Sequence, residues 1–134
     1  MNNYQLTINE VLDIIKMNTE IVRDIMDNDT SAPALHRHGK TKLISTILTY
    51  QYDISRITLE LSETAKSFNN YELAITDVIT MIDNTLQDTL RLANGNVTVK
   101  GLTALDKTKL VAIFLTYENL IHRIEDIMED TQND

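Results

Sequence analysis

The two halves of the chain repeat each other with an offset of 67 residues, half of the 134-residue length. Such a repeat constrains the fold more than any single motif, because equivalent segments form the same local structure. Residues 40–57 align with residues 107–124 without a gap, and ten of these 18 positions are identical. Residues 2–6 likewise align with residues 69–73. We therefore interpret the chain as one domain, 1–134, built from two repeats, 1–67 and 68–134.

Apolar residues in each repeat follow a heptad spacing that predicts long helices. Alternating steps of four and three residues place one apolar stripe along each helix. In the later part of each repeat, this stripe consists of Leu43, Ile47, Tyr50, Ile54, Ile57 and Leu61, and of Leu110, Phe114, Tyr117, Ile121, Ile124 and Met128. The spacing predicts helices near residues 5–27, 40–67, 71–93 and 104–130.

Polar residues at the ends of these segments predict where the helices start and stop. A small polar residue shortly before an acidic one is typical of a helix start, and Asn or Gly, which tolerate left-handed backbone, are typical of a stop. The predicted starts are Thr7 with Glu10, Asn70 with Glu72, and Thr103 with Asp106. The predicted stops are Asn28, Asn69 with Asn70, and Asn94 with Gly95.

Two such hairpins predict an all-α fold, a four-helix up-down bundle made of two tandem-duplicated helical hairpins with a pseudo-two-fold axis. One hairpin cannot bury the apolar faces of both its helices, whereas two packed hairpins can. A head-to-tail arrangement of the halves and a further homo-oligomer are the alternatives. In the up-down bundle, the two long links, near residues 28–39 and 94–103, lie at the same end.

A cluster of lysines marks this end of the predicted bundle. Lys40 and Lys42 fall in the first turn of one helix, and Lys107 and Lys109 fall in the first turn of its repeat. A cation opposes the dipole at a helix start and costs about 0.3–1 kcal/mol, whereas free backbone N–H groups with lysines suit a phosphate or carboxylate. We therefore predict an anion site. The alternatives are a solvated cluster inherited through the duplication and a contact with an acidic protein.

Five further residues belong to the predicted ligand site. His36, Arg37 and His38 lie in the first long link and would add donors at the basic end. Tyr50 and Tyr117 lie on the apolar stripe and would line a cavity that opens from that end. The alternative for both tyrosines is a core position, in which the hydroxyl finds one hydrogen-bond partner.

Two other repeated positions have simpler interpretations. Arg56 and its equivalent in the second repeat flank the apolar stripe, and we expect ion pairs with nearby carboxylates such as Glu60 or Glu20. Leu48 and its equivalent, Leu115, lie nearly opposite the stripe. A repeated apolar residue on an outer face indicates a second interface, although single exposed leucines need no explanation.

The composition argues against several classes of function. The net charge of −8, from 12 basic and 20 acidic residues, argues against direct binding to nucleic acid or to an anionic membrane. The sequence contains no run of 18 apolar residues, so we expect no membrane span. It also contains no Cys that could form a disulfide or a thiolate metal site. We expect a cytoplasmic protein. Richness in Ile, Asn, Asp, Thr and Lys is typical of an AT-rich genome, such as that of a Gram-positive bacterium or its phage.

No motif supports catalysis or a cofactor. Residues 38–41 are similar to the end of a phosphate-binding P-loop, but Ala34 stands where that loop needs a glycine. Glu118 and His122 begin an acidic stripe that faces away from the apolar stripe, whereas a metal site in a bundle needs inward ligands from several helices. No Ser/His/Asp set can be placed. We predict a protein that is not an enzyme and that holds no metal and no cofactor.

These observations lead to two hypotheses of function. The first is a non-catalytic binding protein that captures a phosphate-bearing small molecule, such as a nucleotide or cyclic nucleotide, at the loop end. It would act by sequestration, in a phage or a mobile element. The alternative is a protein–protein inhibitor or adaptor that contacts a host protein through an acidic outer helix face.

Overall fold

The computed structural model describes residues 3–65 and 72–132, and this part of the chain is all-α, without strands. It contains six helices, α1 Asn3–Ile25, α2 Ala32–Arg37, α3 Lys40–Ala65, α4 Glu72–Leu92, α5 Val99–Thr103 and α6 Lys107–Gln132. The all-α prediction is confirmed, and the four long helices lie close to their predicted positions. The predicted number of four helices is wrong, because each long link contains an additional short helix.

The short helices α2 and α5 begin at equivalent positions of the two repeats, 67 residues apart. Each follows a hydroxyl residue that caps its first turn. Ser31 Oγ accepts a hydrogen bond from the Ala34 N–H (3.4 Å), and Thr98 Oγ1 accepts one from the Gly101 N–H (3.1 Å). Helices of six and five residues are too short to show a helical periodicity in the sequence, which is why the heptad analysis missed them.

Helices α3 and α6 form the centre of the fold. They pack against each other, and each also packs against both α1 and α4. The short helix of each repeat packs on the central helix of the other repeat, α2 on α6 and α5 on α3. In the α3–α6 contact, the rings of Tyr50 and Phe114 meet edge to face, with 5.3 Å between their centroids. The helix pairings of the first repeat therefore recur in the second.

The predicted apolar stripe forms the core of this packing. Each of its twelve residues is at most 1% exposed. The helices α1 and α4 add further buried residues at equivalent positions, Ile8, Val11 and Ile15 and Ile75, Val78 and Ile82. Burial of a large aliphatic side chain contributes about 1.5–3 kcal/mol. The repeated stripe is therefore what holds the long helices together.

The ends of α1 and α4 agree with the sequence. Asn28 and Gly95 both have left-handed backbone, with φ of 63° and 82°. The Asn28 N–H bonds back to the Arg23 carbonyl at 2.7 Å, and the Gly95 N–H bonds back to the Leu90 carbonyl at 2.6 Å. This is the Schellman arrangement that satisfies the last carbonyls of a helix. The stops predicted at Asn28 and at Asn94 with Gly95 are confirmed.

Two predicted helix starts are wrong. Thr7 lies inside α1 and does not begin it. Thr103 is the last residue of α5, and the residue that caps α6 is Asp106, whose Oδ1 accepts a hydrogen bond from the Lys109 N–H at 2.9 Å. The sequence pattern could not separate these roles, because α5 was not foreseen. The turn and the start predicted around residues 68–71 lie outside the described residues.

Candidate functional site

Two of the lysines at the predicted basic end bond to carbonyl oxygens of the opposite repeat. Lys40 Nζ donates to the Thr103 carbonyl at 3.2 Å, and Lys107 Nζ donates to the His36 carbonyl at 3.1 Å. The two bonds are equivalent in the repeat, and they bring the starts of α3 and α6 to one end of the molecule. Since Thr103 and His36 lie in the last turns of α5 and α2, each lysine caps the negative end of a short helix. We call these two bonds the lysine clasp.

Other polar residues predicted at this end make contacts of their own. Arg37 forms an exposed ion pair with Asp29 at 3.9 Å. His36 Nδ1 lies 2.8 Å from the Ala32 carbonyl oxygen. His38 is half-buried and follows directly after α2. The side chains of Arg37 and His36 therefore make their contacts within the link around α2.

A small cleft of about 430 Å³ lies beside this link, and carboxylates line it together with Arg37 and His38. Hydrogen bonds from Ser31 hold the pKa of Asp29 below its ordinary value, so this cleft carries a negative charge. Lys42 and Lys109 are exposed. A carboxylate in the cleft repels phosphate, and the anion site at this end stays a prediction.

The two predicted ligand tyrosines occupy the core. Tyr50 and Tyr117 are 1% and 0% exposed. The Tyr50 hydroxyl donates to Glu118 Oε2 at 3.4 Å, and the Tyr117 hydroxyl accepts from Thr89 Oγ1 at 3.3 Å. Burial raises the pKa of both hydroxyls. Each tyrosine lies ten residues along its helix from Lys40 or Lys107, about 15 Å, so the core interpretation accounts for both.

A long groove runs between α1 and α3 on the outer face of the first repeat, away from the basic end. It has a volume of about 820 Å³. Its length is about 16–18 Å, from a rise of 1.5 Å per residue. We call it the α1–α3 groove. It is lined by Glu10, Asp13, Ile14, Met17, Asn18, Ile21, Leu48, Thr49, Tyr52, Asp53, Arg56 and Glu60.

The rim of the α1–α3 groove is apolar and open to water. Met17, Ile21 and Tyr52 are 65%, 47% and 65% exposed. Leu59 is also 60% exposed, and it lies seven residues after Tyr52 on the same side of α3. Single exposed apolar residues are ordinary, but a contiguous group of them marks an interaction surface. This group lies on one face of one repeat.

The floor of the groove contains polar side chains that are almost fully buried. Asn18 is 2% exposed, and neither its side-chain nitrogen nor its oxygen has a hydrogen-bond partner among the described residues. Asp53 is 8% exposed, and burial raises the pKa of its carboxyl to about 6, although Arg56 acts in the opposite direction. Buried polar groups without partners are rare, so the floor is an unusual environment.

The charges around the groove are mainly negative. Arg56 pairs with a nearby carboxylate, as the sequence predicted, but its partner is Asp53, at 4.0 Å, rather than Glu60 or Glu20. The carboxylates of Glu10, Asp13 and Glu60 then remain along the groove. Partial burial and the nearby Glu10 carboxylate raise the pKa of Glu60. Like charges held this close together favour a cationic neighbour.

The exposed apolar rim has no equivalent in the second repeat, although Met81, Leu115 and Ile127 are partly buried apolar residues at positions equivalent to the groove lining. Met17, Ile21, Tyr52 and Leu59 are replaced there by Asn84, Asp88, Asn119 and Asp126, all exposed. The two polar floor residues are replaced by Thr85, whose hydroxyl bonds to the Met81 carbonyl, and by the buried Leu120. The exposed apolar rim of the α1–α3 groove is thus a feature of the first repeat.

The sequence analysis missed this groove, although one signal pointed to it. Leu48 was recognised as an apolar residue opposite the core stripe, and it does line the groove. Met17, Ile21 and Tyr52 lie off the heptad stripe in the same way. Comparing the two repeats position by position would have shown that these apolar residues occur only in the first.

Two kinds of feature are absent from the part of the chain that the structure describes. None of its helices is both long enough and apolar enough to cross a bilayer. Its His, Asp and Glu side chains do not gather in groups of three or more that could ligate a metal ion.

Comparisons with known proteins identify the family of this chain. Early protein GP17 of Bacillus phage B103 is 42% identical over 135 residues, which cover 100% of both chains. The chain belongs to the phage Gene Product 17 family. The sequence profile of this family matches residues 1–66. DNA replication protein 17 of Bacillus phage phi29 is 45% identical over 64 residues, and that of Bacillus phage phi15 is 44% identical over 64 residues.

The extent of these matches differs between members of the Gene Product 17 family. The matches to the phi29 and phi15 proteins cover 47% of this chain but only 39% and 42% of those relatives. No solved structure matches the chain. The relatives support the phage origin that the composition suggested, and they give no support to the capture of a small molecule. The family profile spans all the residues that line the α1–α3 groove.

Proposed function

We propose that this protein takes part in phage DNA replication, and that it does so without catalysis, by binding another protein through the α1–α3 groove. The relatives in phages phi29, phi15 and PZA carry the name DNA replication protein 17. Such a protein would work in the cytoplasm of the infected host. The sequence led to the hypothesis of an adaptor that binds through an acidic helix face. The binding surface proposed here is instead an apolar groove with acidic edges.

The observation that carries the proposal is the position of the groove within the family match. Residues 1–66 match the family profile, and the groove uses residues from Glu10 to Glu60. The second repeat has the same helices, but polar, exposed residues stand at the positions equivalent to the apolar rim. A function shared across the family therefore has its best candidate surface in the first repeat.

Binding fits the groove better than catalysis does. A raised carboxyl pKa in a cleft is one mark of a catalytic acid or base, and Asp53 has this property. However, its neighbour Arg56 is paired with it, and the groove offers no Ser, Cys or His as a nucleophile or second acid–base group. The exposed apolar rim is typical of a protein interface.

The charge of the groove favours a protein partner over nucleic acid. DNA binding relies on lysines and arginines that neutralise phosphates. The groove presents Glu10, Asp13, Asp53 and Glu60 against the single cation Arg56. The overall charge of −8 acts in the same direction. We therefore propose that the protein joins replication through another protein and not through direct contact with DNA.

We also infer that the chain arose by duplication of a helical hairpin, so that the long helices form an up-down bundle with a pseudo-two-fold axis. The identities between residues 40–57 and 107–124, the recurrence of the helix pairings and the lysine clasp support this inference. A duplicated framework explains why one outer face could acquire a binding surface while the other remained polar.

The proposal is tested by replacing groove residues with those of the second repeat. The variant Met17→Asn, Ile21→Asp and Tyr52→Asn is introduced into the phage that encodes the protein, and phage DNA is measured by quantitative PCR during infection. We expect DNA accumulation to fall at least tenfold, to the level of a deletion of the gene. The substituted residues already occur on equivalent helices, so the circular dichroism spectrum of the purified variant should match that of the wild type.

The matched control carries Asn84→Ala, Asp88→Ala and Asn119→Ala on the equivalent face of the second repeat. It should replicate like the wild type. Normal DNA accumulation in the groove variant, or an equal loss in the control, would show that the α1–α3 groove is not the functional surface.

A further inference from the structure

We propose that the occupant of the α1–α3 groove is an amphipathic helix of a partner protein that carries lysine or arginine beside its apolar face. This inference rests on the proposed function and gives the chemistry of the partner. Recognition of a helix in an apolar groove is a recurring mode, in which residues at every third or fourth position enter the groove.

The shape of the groove fits a helix. Two parallel ridges, from Glu10 to Ile21 on α1 and from Leu48 to Glu60 on α3, bound a channel of about 820 Å³. Its length of about 16–18 Å corresponds to roughly three helical turns. Met17 and Tyr52 stand out from opposite ridges, so that an apolar side chain placed between them would be shielded from water on both sides. A third long helix would thus complete the packing that α1 and α3 begin.

The charges of the groove select a basic partner. Three carboxylates, those of Glu10, Asp13 and Glu60, border the channel, while Arg56 is engaged with Asp53. Glu10 and Glu60 both line the channel, and partial burial and the Glu10 carboxylate raise the pKa of Glu60. A lysine or arginine between them would replace this repulsion by attraction. Complementary charges at the rim raise the association rate and exclude acidic partners.

The buried amide of Asn18 is a second, independent sign that the groove has an occupant. Its nitrogen and oxygen are both buried and unpaired among the described residues, and the side chain lines the channel. A buried amide without partners destabilises the protein unless another group reaches it. A polar side chain on the partner helix could bond to both atoms. Its equivalent in the second repeat, Thr85, satisfies its hydroxyl within its own helix.

A second copy of this chain fits the groove less well. Two copies related by a two-fold axis would bring two acidic patches together, because the same surface of each copy forms the contact. Each copy also carries a net charge of −8. Like charges placed directly opposite each other disfavour association. We therefore assign the groove to a different, basic protein.

The test is a selection from a library of displayed 18-residue helical peptides on the purified full-length protein. All peptides share leucines at alternating steps of four and three residues, and their flanking positions are randomised among Lys, Arg, Glu and Gln. We expect the selected peptides to be enriched in Lys and Arg. In fluorescence anisotropy, the best peptide should bind at least tenfold more weakly to the Met17→Asn and Tyr52→Asn double variant.

A second variant separates charge from packing. Asp13→Asn with Glu60→Gln changes only groups at the edges of the groove, and it should weaken the best peptide severalfold and reduce the salt dependence of its binding. The control Asn84→Ala with Asn119→Ala should bind like the wild type. Selection of acidic or neutral peptides, failure to select any peptide, or equal weakening in the control would overturn the assignment.

Analytical ultracentrifugation of the protein without peptide tests whether a second copy of the chain occupies the groove. A wild-type dimer that becomes monomeric in the Met17→Asn and Tyr52→Asn variant would also overturn the assignment, because the groove would then be filled by the chain itself. Loss of phage DNA in the groove variant together with a contrary peptide result would leave the proposed function standing and remove only the basic helix, whereas a dimer that fills the groove would remove the groove as the site for another protein. Normal phage DNA in that variant would remove the proposed function itself.

Discussion

The outer faces of the two repeats differ far more than their inner faces. On the inner faces, the stripe from Leu43 to Leu61 and its equivalent from Leu110 to Met128 are apolar and buried throughout. On the outer faces, Met17 and Tyr52 of the first repeat are matched by exposed asparagines in the second. The helical framework needs only the buried apolar residues of the inner faces. Residues that differ between the two outer faces are therefore free to serve a function. The groove on the first repeat is such a difference.

The two repeats also differ in the interior, at the floor of the groove. Asp53 is 8% exposed, and its equivalent in the second repeat, Leu120, is 1% exposed. The same position on the same framework thus holds a carboxyl group in one repeat and an aliphatic side chain in the other. Burial of the carboxyl is costly to stability, so this position destabilises the first repeat relative to the second.

The largest effect expected from exchanging residues between the repeats is that of Asp53→Leu. The pKa of Asp53 is about 6 in the folded protein, above its ordinary value of 3.8. The folded state therefore binds a proton more tightly than the unfolded chain, and it loses stability as the pH rises from about 4 to 6. Above pH 6 the full cost is present, at most about 3 kcal/mol from 1.36 kcal/mol per pH unit.

Urea unfolding of Asp53→Leu from pH 4 to pH 8 checks this prediction. We expect the variant to be more stable than the wild type at pH 7.5 and to lose the decline between pH 4 and 6. Asp126→Asn, a change of an exposed carboxylate on α6, serves as the control and should leave that decline intact. A wild-type protein that becomes more stable from pH 4 to 6 would contradict the prediction.

The second effect concerns a glycine that only the second repeat requires. A Cβ atom at Gly101 would collide with the carbonyl oxygen and side chain of Asn96, whereas the first repeat has the buried Ala34 at this position. Overpacking of this kind costs about 1–3 kcal/mol, so Gly101→Ala should lower the free energy of unfolding by that amount. Urea titration measures it. The control is Gly39→Ala, where no atom lies within 4 Å of the added Cβ, so no collision is expected. A Gly101→Ala variant that is more stable than the wild type would show that the collision does not occur.

The smallest expected effect is on the lysine clasp, a pair of hydrogen bonds that the two repeats share. Lys40→Ala and Lys107→Ala each remove one bond of the lysine clasp. Since a typical hydrogen bond contributes about 0.5–1.5 kcal/mol, we expect similar losses of about 0.5–1 kcal/mol from the two changes. Thermal unfolding followed by circular dichroism provides the comparison. Lys42→Ala and Lys109→Ala, which change exposed lysines, should have little effect, and strongly unequal losses at Lys40 and Lys107 would break the equivalence of the repeats.

The sequence alone was sufficient to predict the long helices and the residues of their core. A heptad stripe that spans 19 residues has few alternatives to an amphipathic helix, and its duplication supplied a second copy of the same signal. The stops at Asn28 and Gly95 were equally clear, because left-handed backbone at a helix end favours Asn and Gly. These features depend on local residue patterns.

The lysines show why the functional site could not be predicted in the same way. Lys40 and Lys107 looked misplaced at helix starts, and this suggested an anion. Their partners are the ends of α5 and α2, which are too short to be detected and which come from the other repeat. Asn18 and Asp53 were missed for a related reason. Nothing in the sequence shows that a polar residue is buried until the neighbouring helix is in place.

The contact between α3 and α6 sets a lower limit on the autonomous unit of this protein. The family profile ends at residue 66, yet Tyr50, inside the matched segment, is buried against Phe114 of the unmatched half. A fragment cut at the profile boundary would carry the groove but expose the inner face of α3 to water. The second repeat thus acts as an internal scaffold, whose inner surface keeps the groove-bearing helices folded.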